Sequence, residues 1–322
     1  MMTHVGVEPA GVMPGNVVFM ETLSIRMFGP LEITVGAQRL PQFATRKSRS
    51  LFSYLVLHRD RAHSRDVLAG TFWGEYPDAI ARKHLRDALW RIRQVLASAK
   101  RHGLQLEIEG QAVGVDMGHR SWLDIREFET GVSRLEGRTP EEMTPEEADL
   151  LRSAVDLYRA DLLAEVYDDW CVYERERLRI LALEALQRLM TFHVRRHEWA
   201  AALRGGQRLL TADPLQEPVH RALMRCYAGM GNRAAAVRQY QTCAKLLRDE
   251  LAVQPTADTV ALYHEIRQAD PSAVADAPPP EGDSRAAALL EVSRHLKRVD
   301  RGLRRTRREL RAGTEAVRRA LE

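Results

Sequence analysis

Hydrophobic positions change their period along this chain, and each change marks a part of it. From Leu23 the period is two: Leu23, Ile25 and Met27 alternate with Ser24 and Arg26. Leu31, Ile33 and Val35 repeat the pattern, with Gly29-Pro30 and Gly36-Ala37 as turns. A small antiparallel sheet is predicted. The period then lengthens, and Arg46 to His58 puts Leu51, Phe52, Leu55 and Val56 on one helical face. Ser64 is placed to cap a short helix over Val67, Leu68 and Phe72 that ends near Trp73-Gly74, and Pro77-Asp78 opens a longer one. Alternation returns in LQLEIE (104–109), turns at Gly110-Gln111 and runs back through AVGVD (112–116) as a hairpin.

Sheet, helix, short helix, tight turn, longer helix and hairpin is the order of a winged helix-turn-helix, here over 21–118. From residue 122 the pattern is helical almost without interruption, an all-α region over 119–269. TPEEMTPEEAD (139–149) sets Thr144 and Glu147 at capping-box spacing, ahead of LLRSAVDLYRADLLAEV (150–166) and a long span from about Trp170 to Arg195. Shifted by 35 residues the chain echoes itself: Leu189, Phe192, Trp199, Ala200 and Ala201 fall on Met224, Tyr227, Ala234, Ala235 and Ala236. A helix pair near 181–211 therefore recurs near 215–247, close to the tetratricopeptide (TPR) repeat of about 34 residues. Asp213-Pro214 is expected to start one of these helices, and the small alanines are expected to let them approach and form a concave groove.

Residues 1–20 carry three Gly and two Pro without periodicity and read as a flexible lead-in; DPSAVADAPPPEGDS (270–284) reads as a Pro-rich linker. Behind it, Leu289, Val292, Leu296, Val299, Leu303, Thr306, Leu310, Gly313, Val317 and Ala320 form an a/d heptad over 285–322, with arginines on the other faces. Two readings stand for this tail: a coiled coil that makes a homodimer, or a lone basic helix that settles on nucleic acid or protein. The fold class is mainly α: an N-terminal winged helix-turn-helix with a small β-sheet and β-hairpin wing, a TPR-like helical domain and a C-terminal helix.

The helix at 79–99 raises the question of function. ARKHLRDALWRIRQVL (81–96) winds Ala81, Leu85, Ala88, Leu89, Ile92 and Leu96 onto one stripe and Lys83, Arg86, Asp87, Trp90, Arg91 and Gln94 onto the other. In a winged helix the first stripe seats on the domain and the second enters the DNA major groove. There Lys83, Arg86 and Arg91 reach guanine edges or phosphates, Asp87 accepts from cytosine and Gln94 pairs with adenine. Trp90 covers a thymine methyl or sugar, or else packs on the hairpin or a neighbouring domain. Arg46, Lys47 and Arg49 gather where α-helical N–H groups suit phosphate oxygens, though a basic helix start is also an ordinary solvated face.

Charge divides the chain in the same way. Residues 21–120 hold sixteen Lys/Arg against ten Asp/Glu, 121–284 hold twenty against twenty-eight, and 285–322 hold twelve against five. Basic ends around an acidic middle suit a polyanion at one or both ends, be it DNA, RNA or an acidic protein. No run of 18 apolar residues and no secretory leader pattern occurs, so a cytoplasmic protein without a membrane partner is expected. Cys171, Cys226 and Cys243 read as buried reduced thiols.

RKSRSLFSYLVLHRDRAHSRDVLAGTFWGEYPDAIARKHLRDALWRIRQVL (46–96), WLDIREFE (122–129), LYRADLLAEVYDDWCVYERERLR (157–179) and LLRDELAVQPTADTVALYHEIR (246–267) together resemble the SARP-type (antibiotic regulatory protein) transcriptional activators. These join an OmpR-type winged helix to a bacterial transcriptional activation domain (BTAD) of TPR character; the resemblance covers about 21–269. It implies binding of double-stranded promoter DNA, commonly at direct repeats, contact with RNA polymerase, and a nucleoid-associated place in the cytoplasm. It also places Lys83, His84, Arg86, Asp87, Trp90 and Arg91 at or beside the groove, and Arg46, Lys47 and Arg49 at the start of the first helix. Small polar residues are frequent in that family where Trp90 stands, so its base preference is not inherited.

An enzyme is the first competing reading. His193 and His197 lie four apart, as zinc ligands do, but without the HExxH glutamate or a third ligand, and exposed helical histidines fit better. Asp168-Asp169 and Glu141-Glu142 are adjacent pairs that diverge on a helix and read as solvated surface. There is no nucleophile elbow and no glycine-rich phosphate loop, so no catalytic residue, metal site or cofactor is expected. The second competitor is a TPR-type interaction scaffold whose winged helix does not read DNA sequence.

Overall fold

The structure, a computed structural model, describes residues 22–118 and 121–269. The lead-in at 1–20, the Pro-rich linker and the 285–322 helix with its homodimer reading lie outside those residues.

Strand β1 (Leu23–Arg26) pairs antiparallel with β2 (Glu32–Val35), Leu23 facing Val35 and Ile25 facing Ile33, so the alternate apolar side chains are buried together. β3 (Gln38–Arg39) extends the sheet beyond β2. Helix α1 (Arg46–Leu57) starts where the Ser48 N–H donates to Thr45 Oγ1 at 3.1 Å. After β4 (His63–Ser64), Ser64 caps α2 (Arg65–Trp73), and α3 (Asp78–Leu96) follows a four-residue turn. The wing is β5 (Gln105–Glu109) and β6 (Ala112–Asp116), antiparallel, with β4 on the far side of β6. At its base Gly103 and Gly118 have φ of 90° and 66°, and a Cβ on Gly103 would stand 2.9 Å from the Gly118 Cα. Only glycines close the wing there.

The chain then returns to the first sheet. β7 (Trp122–Leu123) lies parallel to β1, giving the order β3-β2-β1-β7. Asp124 opens α4 (Asp124–Ser133) and reaches back: one carboxylate oxygen accepts the Met27 and Phe28 N–H groups at 2.8 and 2.9 Å, the other that of Ile125 at 2.8 Å. Burial pushes its carboxyl above the usual range against the pull of those three donors. Helix α5 (Pro145–Val155) begins with the expected capping box of Thr144 and Glu147.

The helical expectation for 150–166 is corrected: α5 ends at Val155 and residues 156–168 are turns and irregular chain. Leu162, Leu163 and Val166 are buried, but against the N-terminal sheet and not along a helix of their own. Phe28 bridges Leu162, the Leu163 N–H donates to the Met27 carbonyl at 2.8 Å, and the Gly29 N–H donates to the Asp161 carbonyl at 3.1 Å. The backbone at the end of β1 thus takes its partners from this loop. Arg175 holds the loop from the other side, donating to the carbonyls of Leu162, Leu163 and Val166.

Two helical hairpins follow, α6 (Asp169–Arg195) with α7 (Trp199–Ala212), and α8 (Glu217–Gly229) with α9 (Arg233–Leu251), before α10 (Ala257–Ala269). These are the units of the internal echo. Asp213-Pro214 does not start α8. Asp213 Oδ1 instead accepts the Leu215 N–H at 3.1 Å in a local turn, and Pro218 occupies the first turn of the helix. Of the alanines expected to let the helices approach, Ala236 is buried in the core, and glycines provide two further close approaches. A Cβ on Gly206 would lie 2.4 Å from Leu223 Cδ2, and one on Gly229 would lie 2.5 Å from the Trp199 ring, while Ala200 is exposed.

One apolar core runs from Leu23 through α8, and a smaller one joins Met224, Ala236, Val237 and Ile266. Cys171, Cys226 and Cys243 are free and buried, and burial pushes their thiols up to about 11, about 11 and about 12. Among the described residues no helix is long and apolar enough to cross a membrane.

Candidate nucleic-acid interface

Helix α3 is built to show one face. Ala81, Leu85, Ala88, Leu89, Ile92 and Leu96 are buried in a core shared with Leu51, Phe52, Leu68 and Phe72 of α1 and α2. Nineteen residues give it a length of about 28 Å, enough to span several base pairs. Opposite the buried stripe, Lys83, Arg86, Trp90 and Gln94 follow one another at intervals of three or four and are all exposed. Arg91 is exposed beside them. Arg82 and Arg93, which no sequence expectation singles out, are exposed on the other flank; Arg82 pairs with Asp66 of α2 at 2.9 Å. The helix carries five cations against two carboxylates, Asp78 and Asp87, so its open face is positive.

Two residues assigned to that face sit lower. His84 is half-buried, its ring stacked 6.3 Å from Trp73 and edge-on to Tyr76 at 5.0 Å, so it braces the α2–α3 turn. Asp87 is half-buried too, at the edge of the stripe.

The start of α1 departs further from expectation. Arg46 is exposed, but Lys47 Nζ lies 2.9 Å from Asp168 Oδ1 and Arg49 is paired with Glu165. Ser50, buried one turn on, donates to the second oxygen of Asp168 and accepts the Trp170 Nε1–H at 3.1 Å. Trp170 in turn meets Tyr54 edge-on at 5.3 Å. Lys47 and Arg49 therefore answer carboxylates of the same chain, brought to them from more than a hundred residues away, a pairing that the sequence does not announce. Asp168, expected on solvated surface, is the centre of a latch between α1 and the start of α6. The adjacent acidic pair is its only sequence signal.

The two histidines differ in setting. His193 Nδ1 lies 2.6 Å from Glu198 Oε2, whereas His197 has φ 57° beyond the end of α6 and packs on Trp199. No cluster of three metal-ligating side chains occurs among the described residues. The helical stack does form a concave feature: a cleft of about 1000 Å³ between α4, α6, α7 and α8, lined by apolar Val132, Leu181, Leu209 and Val219 together with charged Glu136, Glu184 and Arg188.

Comparison with known proteins follows this division. Residues 123–267 match the family model of the bacterial transcriptional activator domain. Regulatory protein AfsR of Streptomyces coelicolor is 30% identical over 70% of this chain, which spans 22% of that protein's length. The chain likewise spans about a quarter of the AfsR of Streptomyces griseus, to which it is 24% identical. Regulatory protein DnrI of Streptomyces peucetius is 28% identical over 77% of this chain and 93% of its own length. A solved structure of Mycobacterium tuberculosis EmbR, in complex with a low-affinity phosphopeptide, superposes with a TM-score of 0.59 over 86% of this chain and 71% of that one, at 20% identity. Its likeness is one of fold. Residues 123–267 are thus a bacterial transcriptional activator domain, set behind a winged helix, and this pairing is the architecture of the SARP-type regulatory proteins.

Proposed function

We propose that the protein is a transcriptional regulator that binds promoter DNA in a sequence-specific manner, as an activator that also contacts RNA polymerase. The observation that carries the reading is the open stripe of Lys83, Arg86 and Gln94 on a helix whose opposite side is sealed into its own domain. A helix of this length and shape fits the major groove, where Lys83 and Arg86 donate to guanine O6 and N7 and Gln94 pairs with adenine. Arg91, Arg93 and Arg46 take phosphates, which position the domain without reading sequence. The relatives named as regulatory proteins support this reading, and the cleft among α4, α6, α7 and α8 supports a protein partner on the helical side.

The test compares duplexes over a range of salt. Each phosphate neutralised adds about 0.9 to the slope of log affinity against log salt. Lys83→Ala and Arg86→Ala should narrow the preference for promoter over random duplex, by about 1–3 kcal/mol for each base that is no longer read. Arg46→Ala and Arg93→Ala should weaken all duplexes alike. Salt-insensitive binding, or equal losses from both groups, would favour a protein-interaction scaffold.

A further inference from the structure

The five tryptophans of the chain divide unevenly. Trp73 is buried, Trp122 lies under the Arg26 guanidinium, Trp170 donates to Ser50 and Trp199 packs on Gly229 and His197. Trp90 is 63% exposed, and among the described residues it forms no ring pair or cation contact. The described part of the fold does not use it. An indole in open water is unfavourable, and a helix face that needed only solubility would not place one amid Lys83, Arg86, Arg91 and Gln94.

Its position narrows what it can meet. Arg86 and Gln94 stand four residues before and after it on the same face, each about 6 Å away along the axis. If those two side chains lie at base-edge depth, so does the ring between them. The major groove offers one apolar group at that depth, the C5 methyl of thymine.

We propose that Trp90 is a specificity-determining residue that reads a thymine methyl, at the base pair between those contacted by Arg86 and Gln94. This rests on the DNA-binding reading and adds to it a base identity that neither charge nor hydrogen bonding of α3 supplies. The methyl packs on the indole face, and both lose apolar surface to water on binding.

The experiment selects duplexes from a random pool with the full chain, in parallel for wild type, Trp90→Ala, Trp90→Phe and Arg86→Ala. Thymines of the selected site are then replaced one at a time by deoxyuridine, which removes only the methyl. Wild-type sites should share a thymine at one fixed position, and deoxyuridine there should weaken binding about fourfold, the value of one buried methyl. Trp90→Ala should lose both the preference and that sensitivity, and Trp90→Phe should keep part of them. An unchanged consensus and equal deoxyuridine sensitivity in Trp90→Ala would overturn the proposal. So would an equal loss on every duplex, random ones included, which marks a contact with sugar or phosphate. If Arg86→Ala abolishes selection while Trp90→Ala selects as wild type, only the role of Trp90 falls; if wild type enriches no sequence, the DNA-binding reading falls with it.

Discussion

Replacing Asp168 with alanine should destabilise the whole described fold by about 2 kcal/mol, most of it through Ser50 and not Lys47. The magnitude follows from burial. The Lys47 and Asp168 side chains are 43% and 27% exposed, so solvent screens the ion pair and about 0.5 kcal/mol is its share. Ser50 is only 2% exposed, and its hydroxyl loses its acceptor while still receiving the Trp170 indole N–H, a cost of about 1.5 kcal/mol. Since one core spans the winged helix and α4 to α8, the loss should appear in a single transition, lowered by about 6 °C. Thermal and denaturant unfolding of Asp168→Ala, Ser50→Ala and the double variant measure the coupling, expected near 1 kcal/mol, against under about 0.5 kcal/mol for Asp168 with Lys47→Met. A loss below about 0.5 kcal/mol for Asp168→Ala, or a larger coupling to Lys47 than to Ser50, would refute this account of the latch.

Two further outcomes follow from buried polar groups. Asp124→Ala leaves three backbone N–H groups without their acceptor and should cost about 3 kcal/mol in denaturant unfolding, whereas Asp124→Asn keeps an acceptor and should recover about half; a cost under about 1 kcal/mol for alanine would contradict it. His220 donates from Nε2 to the Pro214 carbonyl at 3.0 Å and accepts from Gln239 at Nδ1, a neutral ring whose burial holds its pKa below the usual value of 6.5. Its contribution is therefore present above pH 6.5 and lost as pH falls toward the depressed value. Between about pH 7.5 and 5.5 wild type should lose about 1 kcal/mol more than His220→Gln, and equal losses would dismiss the linkage.

The parts of the fold that are legible in the sequence are those set by near neighbours. Ser64 and the Thr144–Glu147 box cap helices because an N-cap needs only the next turn, and the buried stripe of α3 follows from its own period. Residues 156–168 mislead because apolar runs such as Leu162-Leu163 look alike whether they line a helix or cover the end of β1. The partners of Lys47, Arg49 and Asp168 are illegible for a related reason: a charge seeks its partner in space, and theirs is brought to it by the return of the chain through β7 and α4. His84 has the periodicity of the open face, but the rings of Trp73 and Tyr76 from the preceding turn cover it. Lys83, Arg86, Trp90, Arg91 and Gln94, with no such neighbour among the described residues, stand exposed as their positions in the sequence suggest.

The claim on which the functional reading rests is that the outer face of α3 lies in the major groove. Dimethyl sulfate tests it directly, because it methylates guanine N7 in that groove and adenine N3 in the minor one. On a selected duplex saturated with the full chain, guanine N7 groups within the site should be protected, and Arg86→Ala should restore reactivity at one of them. Reactive guanines throughout a saturated site, with protection confined to adenine N3, would contradict the account.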